Sequence, residues 1–360
     1  MDVKSRSLSR RRLLAGGTLA VGGALTGAAV TGAVTGRDER PPTGEATAAD
    51  LGAQVEPFYG RHQSGIATPA QAHASFLAFD LRDGVDRAAL GRLMRLWTDD
   101  AARLTQGEPA LADTEPELAA LPARLTVTFG FGPGLFRAAG LDHERPASVA
   151  PLPPFSIDRL EPSWSDGDLL VQICADDPVT VSHTQRMLIK DARPFCALRW
   201  VQSGFLHARG MQPENRTARN LFGQVDGTSN PKPGTAAFDQ AVWVSDGPEW
   251  LRDGTTVVIR RIRLDLEGWD LLGRAEKDLV LGRRHDNGAP LTGTHEHDPP
   301  DFDAVDESGL PVIPEFSHIR RAHVADERLR ILRRFYNYDL APGPDGRSDT
   351  GMIFVSFPAD

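Results

Sequence analysis

A strand followed by a helix occurs near the start of this chain and again in its second half, and this pattern constrains the fold more than any other feature. Residues 75–81 are typical of a strand. Asp86 is a candidate N-cap, and the apolar residues that follow it, Leu90, Leu93, Met94 and Trp97, have the spacing of a helix. The pattern restarts with a strong strand candidate at 255–266, and a helical period then comprises Trp269, Leu272, Glu276 and Leu279. Since 360 residues exceed the common size of one domain, two α+β domains are expected.

The remaining apolar runs fill in these two domains. Further strand candidates, and one helix candidate at 180–190, are separated by connecting loops rich in Gly and Pro at 207–237 and 285–314. The strand candidates lie at 125–131, 168–175, 195–206, 330–338 and 352–357. We therefore predict sheets with helices packed on one face, in an N-terminal domain over 55–215 and a C-terminal domain over 216–360.

The first 36 residues have the form of a twin-arginine export signal. Arg10, Arg11 and Arg12 precede a stretch of Gly, Ala, Thr and Val that carries no charge before Arg37. The stretch is only weakly hydrophobic for its length, so a signal peptide over 1–36 is favoured over a stable membrane span. Residues 37–54 lack periodicity and predict a disordered mature N-terminus. Export to the periplasm, cell envelope or extracellular space is expected, and this route often carries proteins that receive a cofactor before export.

Composition excludes some classes of partner and leaves one question open. A formal net charge of -9 argues against a nucleic-acid partner, because phosphate-binding surfaces need clustered Lys and Arg. Cys174 and Cys196 both lie in apolar runs, and they are too few for a disulfide framework or a four-thiolate metal site. Buried free thiols and a single bridge both remain open.

Three segments in the second half carry residues suited to chemistry. They are Asn220–Pro231, with Asp226-Gly227-Thr228-Ser229-Asn230-Pro231 at its end, Phe316–His323, and Leu332–Tyr338. Together they resemble the dye-decolorizing peroxidase family, and the similarity extends over roughly residues 55–358. Other matching segments begin at Gly60, Cys174 and Gly288. The leader and the Cys-Ala-Asp-Asp-Pro segment most resemble the exported branch that includes a bacterial deferrochelatase/peroxidase of the iron-uptake operon.

The resemblance implies a fold, a cofactor and roles for three residues. The fold is α+β with two ferredoxin-like domains of the dimeric α+β barrel type, the second without its final helix and strand. One haem b per chain is expected in the C-terminal domain, with His318 as the iron ligand. Asp226 corresponds to the distal aspartate that moves the peroxide proton, and Arg333 to the arginine that stabilises developing negative charge. A salt bridge from Arg333 to a haem propionate is an alternative role.

Five further residues are candidates for contact with the cofactor. Gly227, Thr228 and Ser229 are expected to bring main chain close to the haem plane, which the missing Cβ of Gly227 permits. Arg320 is a candidate for a propionate contact. His323 lies five residues beyond His318, so it is expected at most at the haem edge. The chain departs from the family pattern at Phe335, where Gly is common, and over 323–325, where Asn-Pro-Arg is common.

The resemblance therefore predicts a peroxidase that reduces hydrogen peroxide and oxidises a bulky dye, phenol or similar organic electron donor in one-electron steps. Since an aspartate stays ionised in acid, we expect an acidic activity optimum. A second hypothesis is the release of iron from haem for iron uptake, as in a deferrochelatase. A third is a metal carrier that uses the loop containing His295 and His297. A homo-oligomer remains open.

Overall fold

The computed structural model describes residues 51–213, 216–326, 329–343 and 346–359, so the predicted leader at 1–36 lies outside the described part of the chain, as does most of the segment 37–54. The first half contains four strands, β1 to β4, at His73–Leu81, Thr126–Phe131, Leu169–Ala175 and Cys196–Phe205. Its α-helices, α1 to α3, lie at Arg87–Leu104, Pro133–Ala138 and Pro178–Ala192. Short 3-10 helices occur at Pro116–Leu118, Asp142–Glu144 and Pro162–Trp164.

The first half has a ferredoxin-like arrangement. Its strands are antiparallel in the spatial order β2-β3-β1-β4, and the long helices α1 and α3 follow β1 and β3. Each long helix begins where an aspartate accepts a hydrogen bond from the main chain: Asp86 from the N–H of Ala89, and Asp177 from that of Thr180. The predicted strands of this half and the helix predicted at 180–190 are confirmed, with ends shifted by two residues at most. The helix predicted after Asp86 is also confirmed, and it extends beyond Trp97 to Leu104.

The second half continues the same sheet. Strands β5 to β8 lie at Val258–Arg263, Leu332–Arg333, Tyr336–Leu340 and Asp349–Phe357. Helices α4 to α7 lie at Ala236–Val242, Leu266–Asp270, Arg274–Leu281 and His318–Arg321, with a 3-10 helix at Glu249–Leu251. The spatial order is β7-β8-β5, and β6 also pairs with β8. This is the order of the first three strands of a ferredoxin-like fold, and among the described residues no strand occupies the fourth position beside β5.

Four predictions for the second half were wrong in detail. The strand predicted at 255–266 is shorter, because Asp265 accepts a hydrogen bond from the N–H of Gly268 and starts a helix. The helix predicted after it is divided at Gly273, which caps α6. The strand predicted at 330–338 is interrupted between β6 and β7. The loop predicted to end at 237 already contains the start of α4 at Ala236, capped by Thr235.

One residue pair joins the two halves of the sheet, and apolar side chains cover both faces of its first strand. β4 pairs with β7 only at Phe205 and Asn337. On β1, Leu77 and Phe79 pack against α1 and α3 with the first core cluster. Phe76 points the opposite way, as side chains alternate along a strand, into a second cluster formed largely by β7 and β8. The sheet of the first half is therefore buried between its own helices and the second half.

Two sequence questions are addressed by the described residues. Cys174 and Cys196 are free and buried, so the open alternative of a bridge between them is not realised. No helix in the described part of the chain is long and apolar enough to cross a membrane. The domain boundary near residue 215 stays a prediction.

Candidate active site

A tightly turned loop carries Asp226. Asn220 begins the turn, because its side-chain Oδ1 accepts hydrogen bonds from the N–H groups of Phe222 and Gln224 at 3.1 and 3.3 Å. Gly223 has a φ of +76°, which favours glycine, and a Cβ there would lie 2.9 Å from Nε2 of His285. The chain then returns past Asn220, and the N–H of Asp226 donates to the carbonyl oxygen of Ala218 at 2.9 Å.

Asp226 and Arg333 form a loose ion pair. Nη1 of Arg333 lies 3.7 Å from Oδ1 of Asp226, and the two side chains keep 28% and 16% of their surface exposed. The side-chain amide of Asn220 donates to the other oxygen of Asp226 at 3.4 Å. Both distances are long for strong hydrogen bonds. The carboxylate and the guanidinium can therefore each bind a small molecule between them without first breaking a tight contact.

His318 is the first residue of α7, and part of its surface is exposed to solvent. The preceding residue, Ser317, is fully buried, whereas His318 itself keeps exposed surface. Burial is nevertheless the main reason why the pKa of His318 is lowered, so protein surrounds the imidazole on its other sides. Among the described residues, no hydrogen bond is made by either imidazole nitrogen. The lowered pKa of His318 favours the neutral imidazole, which is the form that binds a metal.

The structure brings the three main predicted residues into one neighbourhood. The negative charge of Asp226 raises the pKa of His318, and the positive charges of Arg333 and Arg283 lower it. Arg283 was missed by sequence reasoning. Its Nη1 donates to the carbonyl oxygens of Gly288 and Glu296 at 2.7 and 2.9 Å, and burial lowers its pKa.

A carboxylate in the 285–314 loop fixes the main chain after Asp226. Glu296 accepts hydrogen bonds from the hydroxyl groups of Thr217 and Thr228 at 2.6 and 2.9 Å. Sequence reasoning considered the adjacent His295 and His297 as metal ligands and gave no role to Glu296. The neighbouring histidines are exposed, and Nδ1 of His295 contacts the hydroxyl of Thr294. Among the described residues, no group of three or more His, Cys, Asp or Glu side chains is arranged to hold a metal ion.

The other predicted cofactor residues have varied surroundings. Gly227 has a φ of +117°, and a Cβ there would meet only ordinary contacts at 3.5 Å, so its backbone conformation rather than space within the protein requires glycine. Ser229 is exposed. Nη1 of Arg320 donates to the carbonyl oxygens of Phe302 and Ile313 at 2.8 and 3.1 Å. Its predicted propionate contact stays a prediction.

His323 lies beyond the end of α7. The helix ends at Arg321, so His318 and His323 do not lie on the same helix. Its ring packs edge-on against Phe302, with the ring centroids 4.9 Å apart. A place at the haem edge stays a prediction.

Comparisons with known proteins agree with this fold and site. Residues 63–206 match the family model described as "Dyp-type peroxidase, N-terminal", and residues 217–360 match "Dyp-type peroxidase, C-terminal". A dye-decolorizing peroxidase of Thermobifida fusca (strain YX) is 36% identical over 381 residues, covering 100% of this chain and 88% of that protein. A deferrochelatase of Yersinia pestis is 36% identical over 382 residues, covering 100% and 86%. The crystal structure of a DyP-type peroxidase from Cellulomonas bogoriensis matches with a TM-score of 0.84 and 49% identity, covering 86% of each chain.

The chain therefore belongs to the Dyp-type peroxidase family. It is an oxidoreductase that acts on peroxide, and haem is its cofactor. The residues present fit that group. His318 offers a partly exposed imidazole whose lowered pKa favours the neutral form, and a neutral imidazole is a standard fifth ligand for haem iron. The cationic side chains of Arg333 and Arg283, which suit propionate or peroxide oxygens, lie nearby.

Proposed function

We propose that His318 ligates the haem iron and that Asp226 and Arg333 activate hydrogen peroxide at the same site. The observation that carries this proposal is the Asp226–Arg333 ion pair, whose charged atoms are 3.7 Å apart. Both charges lie close enough to His318 to shift the pKa of its imidazole. When bound, haem supplies the iron that reduces peroxide and that then takes electrons from an organic donor one at a time. The oxidised donors are then bulky dyes, phenols or similar molecules.

Asp226 moves the proton of the peroxide. Its carboxylate accepts the proton from one peroxide oxygen and returns it to the other, which leaves as water. The main chain of Asp226 is held for this transfer by the hydrogen bond from its N–H to the carbonyl oxygen of Ala218. Its carboxylate is held by the side-chain amide of Asn220. Because the contacts to its two oxygens are long, at 3.4 Å from Asn220 and 3.7 Å from Arg333, the carboxylate can still accept a hydrogen bond from the peroxide.

Arg333 stabilises negative charge as the peroxide bond breaks. Its guanidinium stays cationic at every relevant pH and has several N–H donors. Its main chain is fixed in β6, so the side chain needs little rearrangement during the reaction. A contact between Arg333 and a haem propionate is compatible with this role.

Replacement of Asp226 by Asn tests the proposal. We expect Asp226→Asn to bind haem with an unchanged Soret band and to react with peroxide at least about 100-fold more slowly, because the amide cannot accept the proton. Stopped-flow absorbance measures that rate. Asp246→Asn, at an exposed aspartate, is the matched control and should react normally. A normal peroxide rate in Asp226→Asn would contradict the proposed role.

Release of iron from haem is a second candidate function, because a relative that is 36% identical is named a deferrochelatase. The same site at His318 would hold the haem. The two functions differ in product: a peroxidase returns intact haem, whereas iron release leaves free porphyrin. Incubation of the haem-loaded protein with a reductant and an iron chelator, followed by porphyrin fluorescence, distinguishes them. Accumulation of porphyrin would favour iron release.

We also propose export through the twin-arginine pathway. Arg10, Arg11 and Arg12 before a weakly hydrophobic stretch support it. Replacement of Arg11 and Arg12 by Lys should retain the protein in the cytoplasm, as measured by fractionation. Export of that variant at the normal level would contradict this route.

A further inference from the structure

The side chain of Asn230 pairs with the main chain of Arg333 as a neighbouring strand would. Nδ2 of Asn230 donates to the carbonyl oxygen of Arg333 at 2.7 Å, and Oδ1 accepts from the N–H of Arg333 at 3.2 Å. The two residues are 103 positions apart in sequence. One amide group therefore satisfies both main-chain polar groups of a proposed catalytic residue.

The geometry of β6 explains why Arg333 needs such a partner. In a strand, the N–H and C=O of one residue point to one edge, and those of the next residue point to the other. The N–H of Arg334 donates to the carbonyl oxygen of Val355 on β8. The N–H and C=O of Arg333 consequently face away from β8, and Asn230 occupies that edge.

Asn230 belongs to the same loop as Asp226. The N–H of Asn230 donates to the carbonyl oxygen of Gly227 at 2.9 Å, which closes a turn directly after Asp226. A shift of Asn230 is thus transmitted to Asp226 on one side and to Arg333 on the other. The long ion pair between their side chains, at 3.7 Å, is too weak to set their separation by itself.

We propose that Asn230 is a positioning residue that sets the distance between the carboxylate of Asp226 and the guanidinium of Arg333. This inference rests on the proposed function of those two residues. Small errors in the placement of reacting groups are costly, and a displacement of about 1 Å reduces a rate by on the order of 100-fold. Asn230 itself does not exchange a proton with the peroxide.

The test compares Asn230→Ala with a control that loses the same kind of contact elsewhere. Gln63 makes the equivalent pair of hydrogen bonds with the N–H and carbonyl oxygen of Phe129, at 2.9 and 3.0 Å, on β2 at the opposite edge of the sheet. We expect Asn230→Ala to keep its Soret band and its KM for the organic donor. Its rate constant with peroxide should fall by about 10-fold to 100-fold. Gln63→Ala should react with peroxide at the normal rate.

A double-mutant cycle separates positioning from a general structural effect. If Asn230 acts by placing Asp226 and Arg333, Asn230→Ala should change the peroxide rate by less than about 2-fold when Asp226→Asn is already present. An undiminished effect in that background would overturn the proposal, as would an equal loss in Gln63→Ala. If the alanine variant does not hold haem, Asn230→Asp, which keeps the acceptor and loses the donor, replaces it in the same cycle.

A measurement without haem separates this inference from the proposed function. Hydrogen exchange of the apoprotein should be faster at the Arg333 amide in Asn230→Ala and unchanged in Asp226→Asn. An unchanged exchange rate at the Arg333 amide would overturn the proposal that Asn230 holds the main chain of Arg333. A normal peroxide rate in Asp226→Asn would instead overturn the proposed function and leave the exchange result intact.

Discussion

At the scale of single residues, side chains from distant segments fix the loop that carries Asp226. Glu296 is the clearest case, because its carboxylate accepts hydrogen bonds from the hydroxyl groups of Thr217 and Thr228, which lie in the chain on either side of that aspartate. A carboxylate that accepts from two hydroxyl groups forms charge-assisted bonds, which are stronger than neutral ones. The loop thus has a fixed point that its own sequence does not contain.

Replacement of Glu296 by Ala should destabilise this loop. We expect the free energy of unfolding to fall by about 2 kcal/mol, because hydrogen bonds to a charged group each contribute roughly 1.5–3 kcal/mol. Urea denaturation followed by tryptophan fluorescence measures the change. Glu307→Ala, at an exposed position in the same long loop, should leave stability unchanged. Equal stability of both variants would show that Glu296 does not hold the loop.

Sequence reasoning proposed site residues only where they occur in recognisable local contexts. Asp226, His318 and Arg333 each lie in a short segment that resembles a family motif. Asn230, Arg283 and Glu296 were missed because their importance comes from contacts across the fold, such as the 68 positions between Thr228 and Glu296. Such contacts leave no periodicity or spacing in a single sequence.

At the scale of secondary-structure elements, a pair of buried carboxyl groups joins α1 to α3. Asp100 on α1 and Asp191 on α3 are both buried, and the Oδ2 atom of each carboxyl group has no hydrogen-bond partner in the described part of the chain. Burial, with the adjacent Asp100, raises the pKa of Asp191 from its ordinary 3.8 to about 8, while Lys190 opposes the shift. The interface therefore holds a proton near neutral pH.

This proton makes stability depend on pH. Between the unfolded pKa of 3.8 and the folded pKa of about 8, the folded chain binds a proton that the unfolded chain has released. The contribution of Asp191 is thus fully present below that interval and is lost as pH rises through it. Asp191→Asn keeps an N–H donor to Asp100 at every pH, so its stability should fall less between about pH 5 and about pH 8.

Urea denaturation at several pH values measures this difference. Asp99→Asn, at an exposed aspartate on the same helix α1, should retain the pH dependence of the unmodified protein. If Asp191→Asn lost stability with pH as steeply as the unmodified protein, the shared proton would not be its cause.

The elements of the first half were easier to predict than those of the second. Alternating or continuous apolar runs mark β1 to β4, and each long helix has an aspartate cap followed by helical spacing. In the second half, Gly273 caps a new helix within one continuous helical period, and β6 has only two residues. Tertiary contacts decide such breaks, whereas a period in the sequence continues across them.

At the scale of the whole molecule, Arg334 connects the two halves. This arginine is almost fully buried, and its guanidinium donates to the carbonyl oxygen of Thr68 and the side-chain amide oxygen of Gln71 in the first half. It also contacts the hydroxyl of Tyr336 at 3.3 Å. Arg333 and Arg334 are adjacent, so the contact that joins the halves lies directly beside the proposed catalytic guanidinium.

Replacement of Arg334 by Leu should weaken the connection. The variant leaves buried acceptors on Thr68 and Gln71 unpaired, and we expect a loss of about 3 kcal/mol in the free energy of unfolding. Arg334→Lys should recover little of it, because one ammonium cannot reach both acceptors in the geometry of a guanidinium fork. Scanning calorimetry measures both variants against Arg252→Leu, an exposed arginine. Full stability of Arg334→Leu would contradict this account.

The two-sided burial of β1 also bears on how the chain is made. Phe76 and its neighbours on one face of the first sheet are covered by residues such as Tyr336, Ile353 and Val355, which lie well after Phe205 in the chain and are therefore synthesised later. A nascent chain that has been synthesised only as far as Phe205 therefore has all four strands of the first sheet, but one apolar face of that sheet is still exposed to solvent. Chaperones that bind such surfaces should stay attached until β7 and β8 have been synthesised.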